Sequence, residues 1–189
     1  MSTKKLQKLN DPQRLVDIPA GYICDKLGIK NPKVLVEIGA GTAFFSIAFL
    51  QELAPSSIYA CDISEVMITW VKENVIPDFS NIIPVKCSEN SVPLDDRIAD
   101  LVFMINLHHE LDSPAKTLGE AYRLLKPEGE IFIVDWKKKE MPEGPPREIR
   151  YLPEQVKKEM TDAGFDAVSI FSDLPKHFLV VGKKILKGT

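Results

Sequence analysis

The 189-residue sequence predicts an α/β fold: a three-layer sandwich around a seven-stranded, mostly parallel sheet with an antiparallel last strand. Three observations predict it. Apolar, β-rich runs alternate with helical patterns along most of the chain, which implies parallel pairing through right-handed crossovers. The strand runs are almost continuously apolar, as in a sheet covered on both faces. The last two runs have no helix between them, so they are expected to pair antiparallel. One domain, residues 1–189, is expected at this length, with a helical cap over 1–30 and the sheet core over 31–189.

The elements follow in order. The first thirty residues are polar apart from an amphipathic stretch from Ile18 to Leu27, which Gly28 stops as a C-terminal cap would. Lys33 to Ile38 forms the first strand and breaks at Gly39-Ala40-Gly41. Ala43 to Leu53 is helical and so apolar that the helix must be mostly buried. Pro55-Ser56-Ser57 resets the chain before a second strand, Ile58 to Cys61. Ser64 caps a helix running to Val75, with Val66, Met67, Trp70 and Val71 as its apolar set. Asn81 to Lys86 and Ala99 to Ile105 are strands three and four. Ser113-Pro114 opens a helix in the order cap then proline, to Leu125. The turn Lys126 to Gly129 leads into strand five, Glu130 to Asp135, and a Pro- and Gly-dense loop, Met141 to Pro146. Pro153 opens another helix to Ala163, Gly164 stops it, and strands Asp166 to Phe171 and His177 to Ile185 close the chain.

Composition excludes several classes. Hydrophobic residues make up 44% and charged residues 27%, as in ordinary globular proteins. A formal net charge of −3 disfavours a nucleic-acid partner held by bulk electrostatics. Lys137-Lys138-Lys139 reads as a solvated run after a strand. No apolar stretch approaches the ~20 residues of a membrane span. The polar N-terminus lacks a signal core, so a cytoplasmic location is expected. Cys24, Cys61 and Cys87 show neither disulfide nor zinc spacing, and no metal site is expected.

Glycines at 39 and 41 directly follow a buried strand and precede a helix, where a doubly wound sheet places its ligand. The dinucleotide fingerprint G-x-G-x-x-G would require a third glycine where this chain has the bulky Phe44. Glu37, two residues before the first glycine, would repel a pyrophosphate but suits a ligand bearing an ammonium and a sulfonium. A nicotinamide oxidoreductase is therefore the weaker alternative.

The segment Glu37-x-Gly39-x-Gly41 resembles the first motif of the Rossmann-like, S-adenosylmethionine-dependent methyltransferases. Ala43 stands where that family usually has a further glycine. Asp62 matches its ribose-binding acid, and Ile63-Ser64-Glu65-Val66-Met67 resembles its D-x-S-x-x-M pattern, in which apolar residues flank the adenine. Cys87 to Leu94 resembles G-D-A-x-x-L-P-F, with Ser88 in the place of the adenine-contacting aspartate and Glu89 beside it. Asn106-Leu107-His108-His109-Glu110-Leu111-Asp112 resembles L-H-H-L-x-D, and Leu118 to Gly129 matches L-x-E-x-x-R-L-L-K-P-x-G. The resemblance covers Val34 to Asp135 and is closest to the branch of quinone-biosynthesis and arsenite methyltransferases. It implies S-adenosylmethionine as cofactor, with S-adenosylhomocysteine as product. The implied cofactor contacts are Glu37, Gly39, Ala40, Gly41, Thr42, Asp62, Ile63, Met67, Ser88, Glu89, Asn90, Asn106 and Leu107.

It further implies in-line methyl transfer to an acceptor, built for by alignment and water exclusion. The acceptor site is expected between the N-terminal segment, the loop after strand four, and the Pro-rich loop, with Asp135-Trp136 at its edge. Little material remains for a large lid, which favours a small acceptor or a site completed by a second copy in a homodimer. A non-catalytic, cofactor-binding partner subunit is the alternative in a different class. His108 and His109 are adjacent and so poorly placed to share a metal. Their expected role is loop positioning, with His109 kept as a candidate catalytic group. Arg14 reads as a surface residue, against the alternative of reaching the cofactor from an N-terminal flap. Cys61 and Cys87 read as buried apolar groups.

Overall fold

A computed structural model describes residues 3–185. Its strands are β1 Val34–Ile38, β2 Ser57–Asp62, β3 Ile82–Lys86, β4 Ala99–Ile105, β5 Leu125–Trp136, β6 Asp166–Phe171 and β7 His177–Lys183. They form one sheet in the order β3-β2-β1-β4-β5-β7-β6. The first five pair in parallel, and β7 runs antiparallel between β5 and β6. Pro84, which cannot donate to a ladder, lies in β3 at the sheet edge.

The helices are α1 Thr3–Leu9, α2 Gln13–Asp17, α3 Ala20–Lys26, α4 Phe44–Leu53, α5 Glu65–Asn74, α6 Pro114–Leu124 and α7 Pro153–Asp162. Alternate strand residues divide the core into two layers. Leu35, Leu101, Phe103, Phe132 and Leu179 pack with Ile23 of α3, Phe49 of α4 and Val71 of α5. Their neighbours Val36, Val102, Ile131, Ile133 and Val180 pack with Leu118 and Leu124 of α6 and Val156 and Met160 of α7. Phe49, Phe103 and Phe132 sit with ring centroids 5.0–5.2 Å apart and anchor the first layer.

Several details differ from the sequence expectation. The cap is more helical than its polarity suggests, because α3 is pinned by tertiary contacts. The Gly28 N–H donates to both carboxylate oxygens of Glu130, at 3.1 and 3.0 Å. β5 begins five residues early and carries the expected turn inside it, with a register shift opposite Ala99–Leu101. A side chain at Gly129 would meet the Asp100 and Lys126 carbonyls at 3.0 Å, so the irregular strand start requires glycine. Neither Ser64 nor Ser113 makes a side-chain cap bond. Asp62 instead fixes the turn before α5, accepting from the Ser64 N–H at 2.8 Å.

Candidate functional site

The loops that follow β1, β2, β3 and β4 meet at the carboxyl edge of the sheet. After β1 the chain turns through left-handed conformations at Gly39 (φ 76°) and Gly41 (φ 56°). A Cβ at position 39 would stand 2.7 Å from the Leu107 side chain, so glycine lets the loop pass under the β4 loop. Ala43 also lies at positive φ (58°), the conformation that explains why a glycine is usual there. This costs about 1 kcal/mol, offset partly by the Ala43 N–H bond to the Ala40 carbonyl at 2.8 Å. The Gly39 and Ala40 N–H groups both donate to the Cys61 carbonyl at 2.9 Å, fastening the loop to the end of β2.

Asp62 joins the two loops. One carboxylate oxygen accepts from the Gly41 N–H and the other from the Ser64 N–H, each at 2.8 Å. Lone pairs remain on both oxygens for a pair of hydroxyls. Glu37 is buried at 3% exposure and accepts from the Ser46 hydroxyl at 2.5 Å. Burial pushes its carboxyl up to about 7, against the opposing pull of Ser46 and Arg14. Arg14 is thus not a free surface residue. Its guanidinium lies 4.6 Å from the Phe45 ring centroid and 5.2 Å from that of Phe44, and it donates to the Leu9 carbonyl at 2.5 Å. Sequence reasoning undervalued it because its partners come from α4 and β1.

Three buried polar atoms around this edge have no hydrogen-bond partner among the described residues: Thr42 Oγ1, Asn90 Oδ1 and Asn106 Oδ1. Asn106 also holds a left-handed conformation, φ 55°. Buried orphan acceptors and strain at a cleft mark a place prepared for a ligand with donors of its own. Together with the acid at Glu37, the bidentate Asp62 and the glycine cradle, they fit S-adenosylmethionine. Of the remaining expected contacts, Leu107 covers Gly39, Ile63 is 61% exposed beside Asp62, and Met67 is buried. The Ser88 hydroxyl bonds the Ser91 carbonyl at 3.3 Å, and Glu89 accepts from the Asp112 N–H at 3.3 Å. Both side chains are therefore engaged within the protein, and Asn90 offers the free acceptor in that loop.

A second constellation lies at the ends of β4 and β5. Asp135 on β5 is buried and grips His109 twice, with its oxygens 2.9 Å from the His109 N–H and 2.7 Å from Nδ1. The Trp136 N–H donates to the same carboxylate at 2.7 Å. His108 turns the other way, its Nε2 2.7 Å from Glu159 on α7 and its ring edge-on to Tyr151. The two histidines therefore serve different elements. His109 lines a cavity of about 370 Å³ with Lys138, Glu148, Arg150, Tyr151 and Gln155.

Arg150 shapes one wall of that cavity. It donates to the carbonyls of Lys137, Lys139, Glu143 and Pro145, so the Pro-rich loop is folded around one guanidinium. The lysine run is not simply solvated. Lys137 donates to the Ser172 and Leu174 carbonyls and Lys139 to that of Pro175, while Lys138 faces the cavity. Cys61 and Cys87 are buried, and burial pushes both thiols up, Cys87 to about 11, which keeps them protonated near neutral pH.

The profile of the family described as "Methyltransferase domain" matches residues 36–133, a span that holds Glu37, the glycine loop, Asp62 and His109 but ends before Asp135 and the other cavity walls. The chain belongs to this family. It is 30% identical to an S-adenosylmethionine-dependent methyltransferase from Aquifex aeolicus, whose crystal structure superposes with a TM-score of 0.87 over 98% of this chain and 100% of that one. Two curated relatives are 29% identical. One is the demethylmenaquinone methyltransferase of Chlamydia muridarum, matched over 53% of this chain and 43% of its own length. The other is the highly reducing polyketide synthase AFT9-1 of Alternaria alternata, matched over 65% of this chain. The chain spans 4% of that synthase. The Aquifex relative is named for S-adenosylmethionine, the cofactor the sequence implies, and the seven-stranded, mostly parallel sheet with an antiparallel last strand is the expected one. No described helix is long and apolar enough to cross a membrane.

Proposed function

We propose that this methyltransferase transfers the methyl group to a small acceptor bound in the His109-lined cavity, with His109 as the base that removes the acceptor's proton. The observation that carries this reading is the Asp135–His109 pair at the cavity wall. A buried carboxylate on Nδ1 holds the proton there, so Nε2 carries the lone pair, the arrangement of a general base. The exposed Glu110 carboxylate lies 3.7 Å from Nε2, where it stabilises the imidazolium once formed.

When bound, the cofactor supplies a methyl group made electrophilic by its sulfonium. The chain contributes three things. Glu37, Asp62 and the glycine loop hold and orient the cofactor, with Thr42, Asn90 and Asn106 as further contacts. The loops after β4 and β5 exclude water. His109 takes the proton that the nucleophile loses as its new bond to carbon forms. The acceptor class that needs such a base has a hydroxyl, an N–H or an acidic C–H; a thioether or tertiary amine does not. The cavity lies at the small end of ligand sites, roughly 300–1,000 Å³, which supports a metabolite-sized acceptor. A quinone acceptor, for which the Chlamydia relative is named, falls within this class.

His109→Gln tests the assignment. Turnover of methyl-labelled cofactor with the small-molecule fraction of a cell extract should fall by about a hundredfold, with affinity for S-adenosylhomocysteine held within about twofold. Equal turnover would remove His109 from the mechanism.

A further inference from the structure

The methyl-transfer reading leaves a buried imidazole without a task. His177 opens β7 and is 1% exposed, yet neither ring nitrogen finds a hydrogen-bond partner among the described residues. A neutral imidazole carries one donor and one acceptor, and leaving both unmet in a protein interior costs free energy with no structural return. Phenylalanine would fill the same space without that cost.

Its surroundings join the end of β5, the Pro-rich loop and the N-terminal cap. The His177 ring lies 4.3 Å, centroid to centroid, from that of Trp136, its cross-strand partner at the end of β5. Trp136 precedes the Pro-rich loop, whose Gly144 passes so close that a Cβ there would meet the indole at 2.8 Å. Lys176, immediately before His177, bridges Asp17 of α2 at 2.8 Å and Glu143 of the Pro-rich loop at 2.7 Å. The N-terminal cap and the loop are thus clipped together beside the unpartnered imidazole. Charged neighbours balance: Asp135 and Asp17 against Lys176 and Arg14. Burial pushes the imidazole down to about 4, so it is neutral at physiological pH and offers one donor and one acceptor rather than a charge.

We propose that His177 is an acceptor-binding residue, hydrogen-bonding an uncharged carbonyl or hydroxyl group of the methyl acceptor beside Trp136. This rests on the methyl-transfer reading. His109 and His177 flank the end of β5, one held by Asp135 and the other against Trp136. His177 lies outside the walls of the His109 cavity, so an acceptor that presents its nucleophile to His109 reaches His177 with a second polar group extended past Trp136. No proton or bond changes hands at His177; it positions the acceptor.

The test compares wild type, His177→Phe and His177→Gln in the full chain. The measurements are thermal unfolding, calorimetric binding of S-adenosylhomocysteine, and transfer of labelled methyl to a small-molecule extract fraction titrated by dilution. His177→Phe should melt at or above the wild-type temperature and bind S-adenosylhomocysteine within about twofold, while the half-saturating extract concentration rises about tenfold, roughly 1.4 kcal/mol of lost binding. Gln, which keeps a donor and an acceptor, should recover part of that loss. An unchanged half-saturation point would overturn the proposal. So would a fall in melting temperature or failure of the Phe variant to fold, since either would show that the imidazole is satisfied within the fold. Absence of any transfer by wild type would instead overturn the methyl-transfer reading on which the proposal stands.

Discussion

Glu37 shows how a single carboxyl can couple ligand binding to pH. Its place on β1 was visible in the sequence, two residues before the first glycine, because the motif is local. Its energetics come from burial that no local pattern reports. In the free protein burial pushes the carboxyl up to about 7, whereas the unfolded chain would release its proton near the ordinary value of 4.5. The folded state therefore binds the extra proton between these values, and stability from this group is lost as pH rises through about 7. The difference is on the order of 3 kcal/mol. A cationic ammonium next to Glu37 favours the ionised form, so binding near or below pH 7 expels a proton. Calorimetry with S-adenosylhomocysteine should show affinity rising from about pH 6 to about pH 7 and a binding enthalpy that depends on the buffer's ionisation enthalpy. Glu37→Gln should bind more weakly and lose both dependences. A pH-independent wild type would mean that the ammonium sits elsewhere. Arg14, His109 and His177 were harder to read because each role depends on partners distant in sequence: Phe45 and Glu37, Asp135, and Trp136.

Among the elements, the alternating strands and helices of the core were legible, whereas the irregular start of β5 and the short helices α1 and α2 were not. β4 is bounded as its apolar run suggests, Ala99–Ile105. The cap helices span only seven, five and seven residues, too short to be stable from propensity, and depend on contacts such as Gly28 to Glu130. The Pro-rich loop is the clearest case of order hidden from sequence. Its prolines and glycines suggest an irregular segment, yet Arg150 gathers its carbonyls. A lysine at 150 lacks the fork that donates in several directions at once. Arg150→Lys should speed amide exchange at the non-proline positions of residues 137–147 by more than about tenfold, lower the melting temperature, and weaken acceptor use more than cofactor binding. Unaltered exchange in that segment would show that the loop is ordered by other contacts.

At the scale of the molecule, the fold divides the work along one sheet edge. β1 and β2 carry Glu37 and Asp62, the acids proposed to hold the cofactor, β4 and β5 bring His109 to Asp135, and β7 adds His177 beside Trp136. The expected cofactor residues could be named from sequence because they recur at short, fixed spacings after successive strands. The acceptor half could not, because it is assembled from loops whose neighbours are set only by sheet order. This division of work requires that the chain by itself complete methyl transfer. Purified protein should be incubated with methyl-labelled S-adenosylmethionine and a small-molecule extract fraction, beside the Asp62→Ala variant. Wild type should yield labelled small-molecule product and S-adenosylhomocysteine in equal amounts. The variant should lose about tenfold or more in cofactor affinity, roughly 1.4 kcal/mol. Tight cofactor binding with no labelled product, and transfer only after a second methyltransferase is added, would contradict this requirement.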